Sequence, residues 1–540
     1  MISVSEAPLS ESINAWTLSV ILRLSDLSKN AGRIIAALFF ALMAFTLVLL
    51  LFLNGRTEYY LKADLGVSNL LLLITGVIIS VLATAVLSVL FRNARINSFH
   101  GTLFIIISSV VLFILELLYT SSAFFFSDWD PAAVLDCVYK ILRNAQNEVS
   151  IDYFSNHPNN LMIVFIYVTV LRICGIFGNQ SVLNLTAFQC LLFTLAGVLL
   201  FLIAKEIYSI KSAMVLWLVY ALWIGLNPWL IITYSDCVGL IFPLLILFLF
   251  IRQGKISSGF ISYALMGAAA ALGYAVKPQT VIIYIAVFIV TLAGALSHKN
   301  KYKLRGIIIS VISLILMWFL ITKVFYPSLG LKLDKKRSFG VAHYLMMGLN
   351  DETDGVYSND DTVFTDSIED PAERTRTNLS VAYERARNLG TNGMAKHIIK
   401  KQLVNFGDGT FAWGIDGNFF AGTEFEGIPE IHENKLRPYI LSVITVGEKH
   451  FAKYRIILQT IWIMVLFFCF LTGFFALFTG KNTDVISVMM LSLSGLIIFE
   501  LLFEAKARYL FAYLPIFLIL SFKAFPFEGK TCRWHVLNGV

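Results

Sequence analysis

The stretch GTLFIIISSVVLFILELLYTSSAFFFSDWD, Gly101 to Asp130, decides how the rest of the chain is read. Its apolar part, Gly101 to Phe125, can cross a hydrocarbon core of about 30 Å as one helix. It stops at Asp128 and Asp130. Carboxylates so close to the end of an apolar helix belong at a boundary between membrane and water. At i, i+2 the two cannot share one helix face, so a turn or an extended end is expected, with both groups reaching the same polar space. They either cap the helix that PAAVLDCVYKIL begins or serve a site at that boundary.

Runs of the same kind recur along all 540 residues, of which 58% are hydrophobic and only 14% charged. The mean hydropathy of +0.76 excludes an ordinary soluble domain. Spanning helices are expected near Arg33–Leu53, Leu65–Phe91, Gly101–Phe125, Ser181–Ile203, Ser212–Tyr234, Cys237–Ile251, Ser258–Val276, Gln279–Ser297, Gly306–Phe325, Tyr454–Phe478, Asp484–Phe503 and Arg508–Phe522. The fold class is therefore an all-α polytopic membrane protein with about twelve transmembrane helices. The six cysteines stand singly, without metal-ligand spacing, and carry no redox signal. No cleavable leader is evident, and the first spanning helix is expected to act as a signal anchor.

The net charge of +7 is no sign of a nucleic-acid partner, because the basic residues sit in short loops between apolar runs. Arg92 and Arg95, Lys205 and Lys211, Arg252 and Lys255, Lys299 to Arg305, and Lys481 occupy alternate loops, which the positive-inside rule assigns to the cytoplasm with both termini. Five regions follow. Residues 1–125 hold a cytoplasmic segment and three spanning helices. Residues 126–180 form a first external loop with juxtamembrane helices, in which the apolar Leu161–Phe177 is read as interfacial or re-entrant to keep the charge parity. Residues 181–325 complete the helical module. Residues 326–453 form a large external loop domain of mixed structure, with a helix from Pro371 to Gly390. Residues 454–540 bring the last spanning helices and a cytoplasmic tail.

Three further sites fall on the external side. Asp236 follows a spanning helix in NPWLIITYSDCVG, where it is a solvated loop carboxylate or a functional one. Lys277 lies in LGYAVKPQTV, where Pro278 breaks the chain between two short helices; it either snorkels to headgroups or meets a lipid phosphate. Glu504, Lys506, Arg508 and Tyr509 open the final helix in FEAKARYLFAYLP, either as flanking anchors or as a phosphate fork. Carboxylates and cations from distant segments thus meet one face of the membrane. The pairing points to a general base and a phosphate leaving group.

The acidic motif in the first long external loop, YSD after a spanning helix, KP between two short helices and a terminal E…ARYLFAYLP together resemble the GT-C superfamily of polyprenyl-phosphate-sugar glycosyltransferases. Protein O-mannosyltransferases and the lipid A aminoarabinose transferase are relatives in that superfamily. DYFSNHPNN, Asp152 to Asn160, stands where those relatives carry a turn into the second juxtamembrane helix. FGVAHYLMMGLN and NFGDGTFAWGIDGNFF look like segments of membrane glycosyltransferases from Gram-positive bacteria. Two helices precede the superfamily's usual first one, and DWD replaces the DE of the protein O-mannosyltransferases, so the choice of base between Asp128 and Asp130 stays open.

The resemblance implies a GT-C-like enzyme of a bacterial plasma membrane, with an extracytoplasmic active site and a polyprenyl-phosphate-linked sugar as donor. The acceptor would be a hydroxyl on a cell-wall glycopolymer, a glycolipid or a protein. Asp128 or Asp130 would be the base, and Lys277 and Arg508 would hold the donor phosphate. Asp236, Glu504 and His343 would assist, with His343 alternatively structural. The resemblance fixes no cofactor, and a divalent cation, magnesium or manganese, shared by Asp128, Asp130 and Asp236 is an alternative. A transporter or flippase of a lipid-linked sugar is the rival class; such proteins place charge near the midplane and carry repeats, and neither pattern is present in the sequence.

Overall fold

The computed structural model describes residues 9–53, 66–92, 95–127, 129–253, 259–297, 300–417, 434–480 and 482–525, with side chains from residue 30 onward except at Arg92. Asp128 lies outside the described residues. The chain is helical, and no strand occurs among the described residues. Its α-helices are α1 (Leu9–Phe52), α2 (Asn69–Arg92), α3 (Ser98–Ala123), α4 (Asp130–Leu142), α5 (Ile151–Asn156), α6 (Leu161–Ile176), α7 (Leu183–Ile207), α8 (Ile210–Tyr220), α9 (Ser235–Gly239), α10 (Ile241–Arg252), α11 (Gly259–Val276), α12 (Ile282–Ser297), α13 (Lys301–Leu320), α14 (Gly340–Gly348), α15 (Asn359–Asp366), α16 (Pro371–Phe406), α17 (Arg437–Ile444), α18 (Phe451–Thr479), α19 (Asp484–Leu502) and α20 (Leu514–Ser521).

Among the described residues eleven helical segments are long and apolar enough to cross a membrane, and two shorter apolar ones, Ile210–Gly225 and Ala507–Ser521, accompany them. Ile261, Ile312, Leu316 and Phe319 on their outer faces are all more than half exposed, as lipid-facing residues would be. Inside, tryptophan and phenylalanine rings close the core. Trp462, fully buried, packs on Phe406, Phe411 and Phe517, and its indole N–H donates to the Phe406 carbonyl at 2.9 Å. Helices α11 and α13 approach most closely where a Cβ on Gly267 would strike the Ser310 carbonyl, so only glycine fits there.

The two ends of the bundle differ in chemistry. At one end Lys205 reaches Ser98 (3.2 Å), Lys211 the Phe91 carbonyl (2.9 Å), Arg252 Glu206 (3.4 Å) and Lys303 Asp484 (3.3 Å). The helices that begin there are capped by side chains of the expected kind: Asn97 for α3, Ser209 for α8, Asn300 for α13 and Thr483 for α19. The other end gathers α4 to α6, the breaks after α8, α11 and α19, and everything between α13 and α18.

The spans differ in detail from those read in the sequence. The run expected to continue to Tyr234 leaves the α-helix at Tyr220, makes one wide π turn at Ala221–Gly225, and then a 3₁₀ turn at Pro228–Ile231. Asn227 and Pro228 end it, since proline gives the ladder no N–H. The last span opens as a 3₁₀ helix, Ala507–Tyr513, before α20. α6 has spanning length, but its contacts lie along one end of the bundle. Its first turn adjoins Asp130 through Asn160, Phe165 stacks at 4.6 Å on Phe325 beyond α13, and Tyr167 donates to Gln189 near the start of α7 (2.7 Å). Just past it, the Gln180 carbonyl accepts from Tyr139 of α4 at 3.3 Å.

In the large loop region between α13 and α18 every regular element among the described residues is a helix. Burial of polar side chains against backbone explains how it holds without strands. Arg374 donates to the Ile368, Lys336 and Ser338 carbonyls (2.8, 2.8 and 3.2 Å), and Arg385 grips Asp361 (2.6 Å). α16 breaks at Gly390, whose φ of +57° favours glycine, and its second half docks on the bundle. There Gln402 donates to Thr46 (2.6 Å), and Lys401 to the Gly348 and Phe503 carbonyls (2.8 and 2.6 Å).

Candidate active site

Among the helical segments that begin at the site end without a side-chain cap are four whose N-cap residues are Trp129 before α4, Tyr234 before α9, Lys277 before Pro278–Val281 and Lys506 before Ala507–Tyr513. These four residues and their neighbours form one cluster. Trp129 and Tyr234 meet edge to face at 5.2 Å. The Arg508 guanidinium lies 4.2 Å above the Trp129 ring, and the Lys277 ammonium lies 5.5 and 4.8 Å from the Tyr234 and Tyr509 rings. Uncapped N-termini leave backbone N–H groups and the positive ends of helix dipoles available to an anion.

Asp130, the first residue of α4, accepts from Tyr153 at 2.7 Å through Oδ1 and from Tyr234 at 3.0 Å through Oδ2. Asn160 joins both phenols, at 2.7 Å to Tyr153 and 3.1 Å to Tyr234. Burial first, and the Asp130 charge second, raise both phenols above their ordinary range, so each keeps its proton.

Asp236 and Lys277 are partners: Nζ to Oδ1 is 2.6 Å, and both side chains are buried. Burial pushes the lysine down from its ordinary value, while Asp236 pulls it back up. Arg508 lies 3.7 Å from Asp416 Oδ2, which Lys506 also approaches at 3.2 Å. Its Nη1 is buried with no hydrogen-bond partner among the described residues. Glu504 accepts from Tyr509 at 3.1 Å.

His343 stands apart. It is buried in α14, bonds Thr365 at 2.8 Å, and burial lowers it to about 4, so it is neutral at physiological pH. Its neighbour Tyr344 reaches towards the site instead, 3.4 Å from His157. Asp130, Asp236, Lys277, Glu504 and Arg508 are therefore brought together, His343 is not, and Asp128 lies outside the described residues. Sequence reasoning missed Trp129, Tyr153, Asn160, Tyr234 and Asp416 as site residues. The signal for Asp416 lay in NFGDGTFAWGIDG, where Asp408 accepts from the Thr410 and Ala412 amides (2.9 and 3.0 Å) in a turn that has Phe411 and, four residues before Asp416, Ala412 at positive φ.

No cluster of three or more His, Cys, Asp or Glu side chains able to hold a metal ion occurs among the described residues. Asp130 and Asp236 are each engaged by other partners.

A bundle of long apolar helices with its polar cluster at one end is an integral, multi-pass membrane protein. The chain belongs to the family described as conserved hypothetical integral membrane protein, whose profile it matches over residues 24–526. No curated protein and no solved structure matches it.

Proposed function

We propose that the chain is a GT-C-like membrane glycosyltransferase that moves a sugar from a polyprenyl phosphate to an acceptor hydroxyl at the extracytoplasmic face. The observation that carries this reading is the meeting of a carboxylate, Asp130, with Arg508, Lys277 and Lys506 at four uncapped helix starts. A base and an anion-binding wall are what displacement of a phosphate by an alcohol requires. The basic end, with Lys205, Lys211, Arg252 and Lys303, faces the cytoplasm by the positive-inside rule, which puts the site outside. On this reading α6 is a juxtamembrane element, and the other ten long helices and the two shorter ones among the described residues would make twelve crossings.

In this mechanism Asp130, or Asp128 beside it, takes the proton of the acceptor hydroxyl. The oxygen attacks the anomeric carbon from the face opposite the phosphate, and the C–O bond to phosphate breaks with inversion. Arg508 offers its unpartnered Nη1 to the leaving phosphate, Lys506 adds charge, and Lys277 is held in place by Asp236. A phosphate monoester leaves as a stable anion, so no general acid is needed, unlike in glycosidases. Asp236 and Glu504 are positioning groups in this scheme.

The test is sugar analysis of the cell envelope after deletion of the gene, followed by complementation. One envelope sugar is expected to disappear, Asp130→Asn is expected not to restore it, and Asp128→Asn distinguishes which aspartate is the base. Restoration by both single variants would refute the base assignment.

A further inference from the structure

Asp130, Tyr153, Asn160 and Tyr234 close a ring of four polar contacts. Around it the distances are 2.7 Å from Asp130 Oδ1 to Tyr153, 2.7 Å from Tyr153 to Asn160 Nδ2, 3.1 Å from Asn160 Oδ1 to Tyr234, and 3.0 Å from Tyr234 to Asp130 Oδ2. All four lie within hydrogen-bond range, and each needs one hydrogen. With Asp130 ionised, only three are available: one on each phenol and one amide N–H of Asn160. Turning the Asn160 amide over does not change the count, because it only moves the donating N–H from one tyrosine to the other. As drawn, the shortage falls on Tyr234, whose single hydroxyl hydrogen faces two acceptors, Asp130 Oδ2 and Asn160 Oδ1.

We propose that this ring is a receptacle for the proton removed from the acceptor hydroxyl, with Tyr234 and Asn160 as positioning residues that act through Asp130. The inference rests on the reading of Asp130 as the base. In the reaction the acceptor O–H bond breaks, and its electron pair forms the new bond to the anomeric carbon. The anomeric C–O bond to phosphate breaks, and its pair leaves with the polyprenyl phosphate. The proton passes to Asp130, whose Oδ2–H then donates to the Tyr234 oxygen. Tyr234 swings its own hydrogen to Asn160 Oδ1. Four contacts now hold four hydrogens, and release of the proton to water resets the ring.

This scheme changes the bonding of two hydrogens per turnover, the one transferred to Asp130 and the one that the Tyr234 hydroxyl turns to Asn160 without leaving its oxygen, whereas a lone carboxylate changes only one. Asn160 and Tyr234 are buried and Asp130 half-buried, so water is poorly placed to supply the missing hydrogen. Tyr153 keeps a donor on one side and an acceptor on the other throughout, and its role is to hold Oδ1 still.

The experiment uses the full chain in detergent, with the sugar that deletion removes from the envelope loaded on undecaprenyl phosphate as donor. Envelope from the deletion strain serves as acceptor, and single turnovers are followed in mixtures of light and heavy water. Asp130→Asn is expected to abolish transfer. Tyr234→Phe and, as a second variant, Asn160→Leu are each expected to slow the single turnover about tenfold or more at unchanged donor half-saturation. The plot of rate against deuterium fraction is expected to be curved for the unmodified chain and straight for Tyr234→Phe. Unmodified rates in either ring variant, or a straight plot for the unmodified chain, overturn the receptacle while leaving the base in place. Normal transfer by Asp130→Asn, or an envelope unchanged by deletion, overturns the base reading and the receptacle with it.

Discussion

Lys277 Nζ lies 2.6 Å from Asp236 Oδ1, with the two side chains only 9% and 3% exposed, at the break where one apolar helix ends and the next begins. Neither side chain is well exposed to water, so each depends on the other as its partner. Removing one partner strands the other, and breaking a buried pair costs about 3–5 kcal/mol.

Lys277→Met and Asp236→Asn are therefore each expected to lower the melting temperature in detergent, while the double variant melts above either single one. A double-variant loss equal to the sum of the single losses would show that the two side chains are not coupled.

Arg508 presents a planar fork above Trp129, with Nη1 unpartnered among the described residues. Lysine at this position keeps the charge but neither the fork nor the stacking. In the transfer assay Arg508→Lys is expected to weaken the donor half-saturation about tenfold, a loss of about 1.4 kcal/mol. An unchanged half-saturation would remove Arg508 from the phosphate site.

Lys401 is fully buried, and burial lowers it from 10.5 to about 7, with Glu500 pulling the other way. A neutral amine has two N–H groups, which match its two carbonyl partners. Above about pH 7 the folded state has shed the proton that the unfolded chain keeps until about 10.5, so stability rises with pH between those values. The gain is at most about 1.4 kcal/mol per pH unit. Melting temperature against pH should rise across that window in the unmodified chain relative to Lys401→Met; parallel curves would contradict the shift.

Gly267→Ala tests the packing of α11 on α13. The added methyl meets the Ser310 carbonyl, a backbone group that cannot swing aside. The helices must move apart, and a loss of about 1–3 kcal/mol is expected, as for other overpacked sites. Gly66, where a Cβ would meet open space but φ is +66°, separates backbone strain from packing. An unchanged melting temperature for Gly267→Ala would mean that the two helices are not held at this distance.

Long apolar runs make most of this architecture readable from residues, because a bilayer admits few structures other than helices. α3, α18 and α19 fall close to the segments expected from hydropathy. The charged residues at breaks were readable as well: Asp130, Asp236, Lys277 and Arg508 are unusual where they stand, and the structure brings them together. Tyr153, Asn160 and Tyr234 were not, since a tyrosine or asparagine beside a membrane is unremarkable until another segment places a carboxylate against it. The π turn at Ala221–Gly225 was invisible for a related reason, because apolar periodicity does not distinguish a wide turn from an α one. For His343 the sequence left an assisting and a structural role open; in the fold it bonds Thr365 and packs between Phe339 and Tyr344.

The Tyr513 hydroxyl accepts from the Ile283 amide at 3.0 Å and donates to the Gln279 carbonyl at 2.9 Å. One phenol thereby rivets the stretch that starts at Lys277 to the stretch that starts at Lys506. The cations on those stretches share a single rigid body, so the spacing between them is a fixed gauge. Movement at the site therefore falls to the opposite jaw, where α4 carries Trp129 and Asp130.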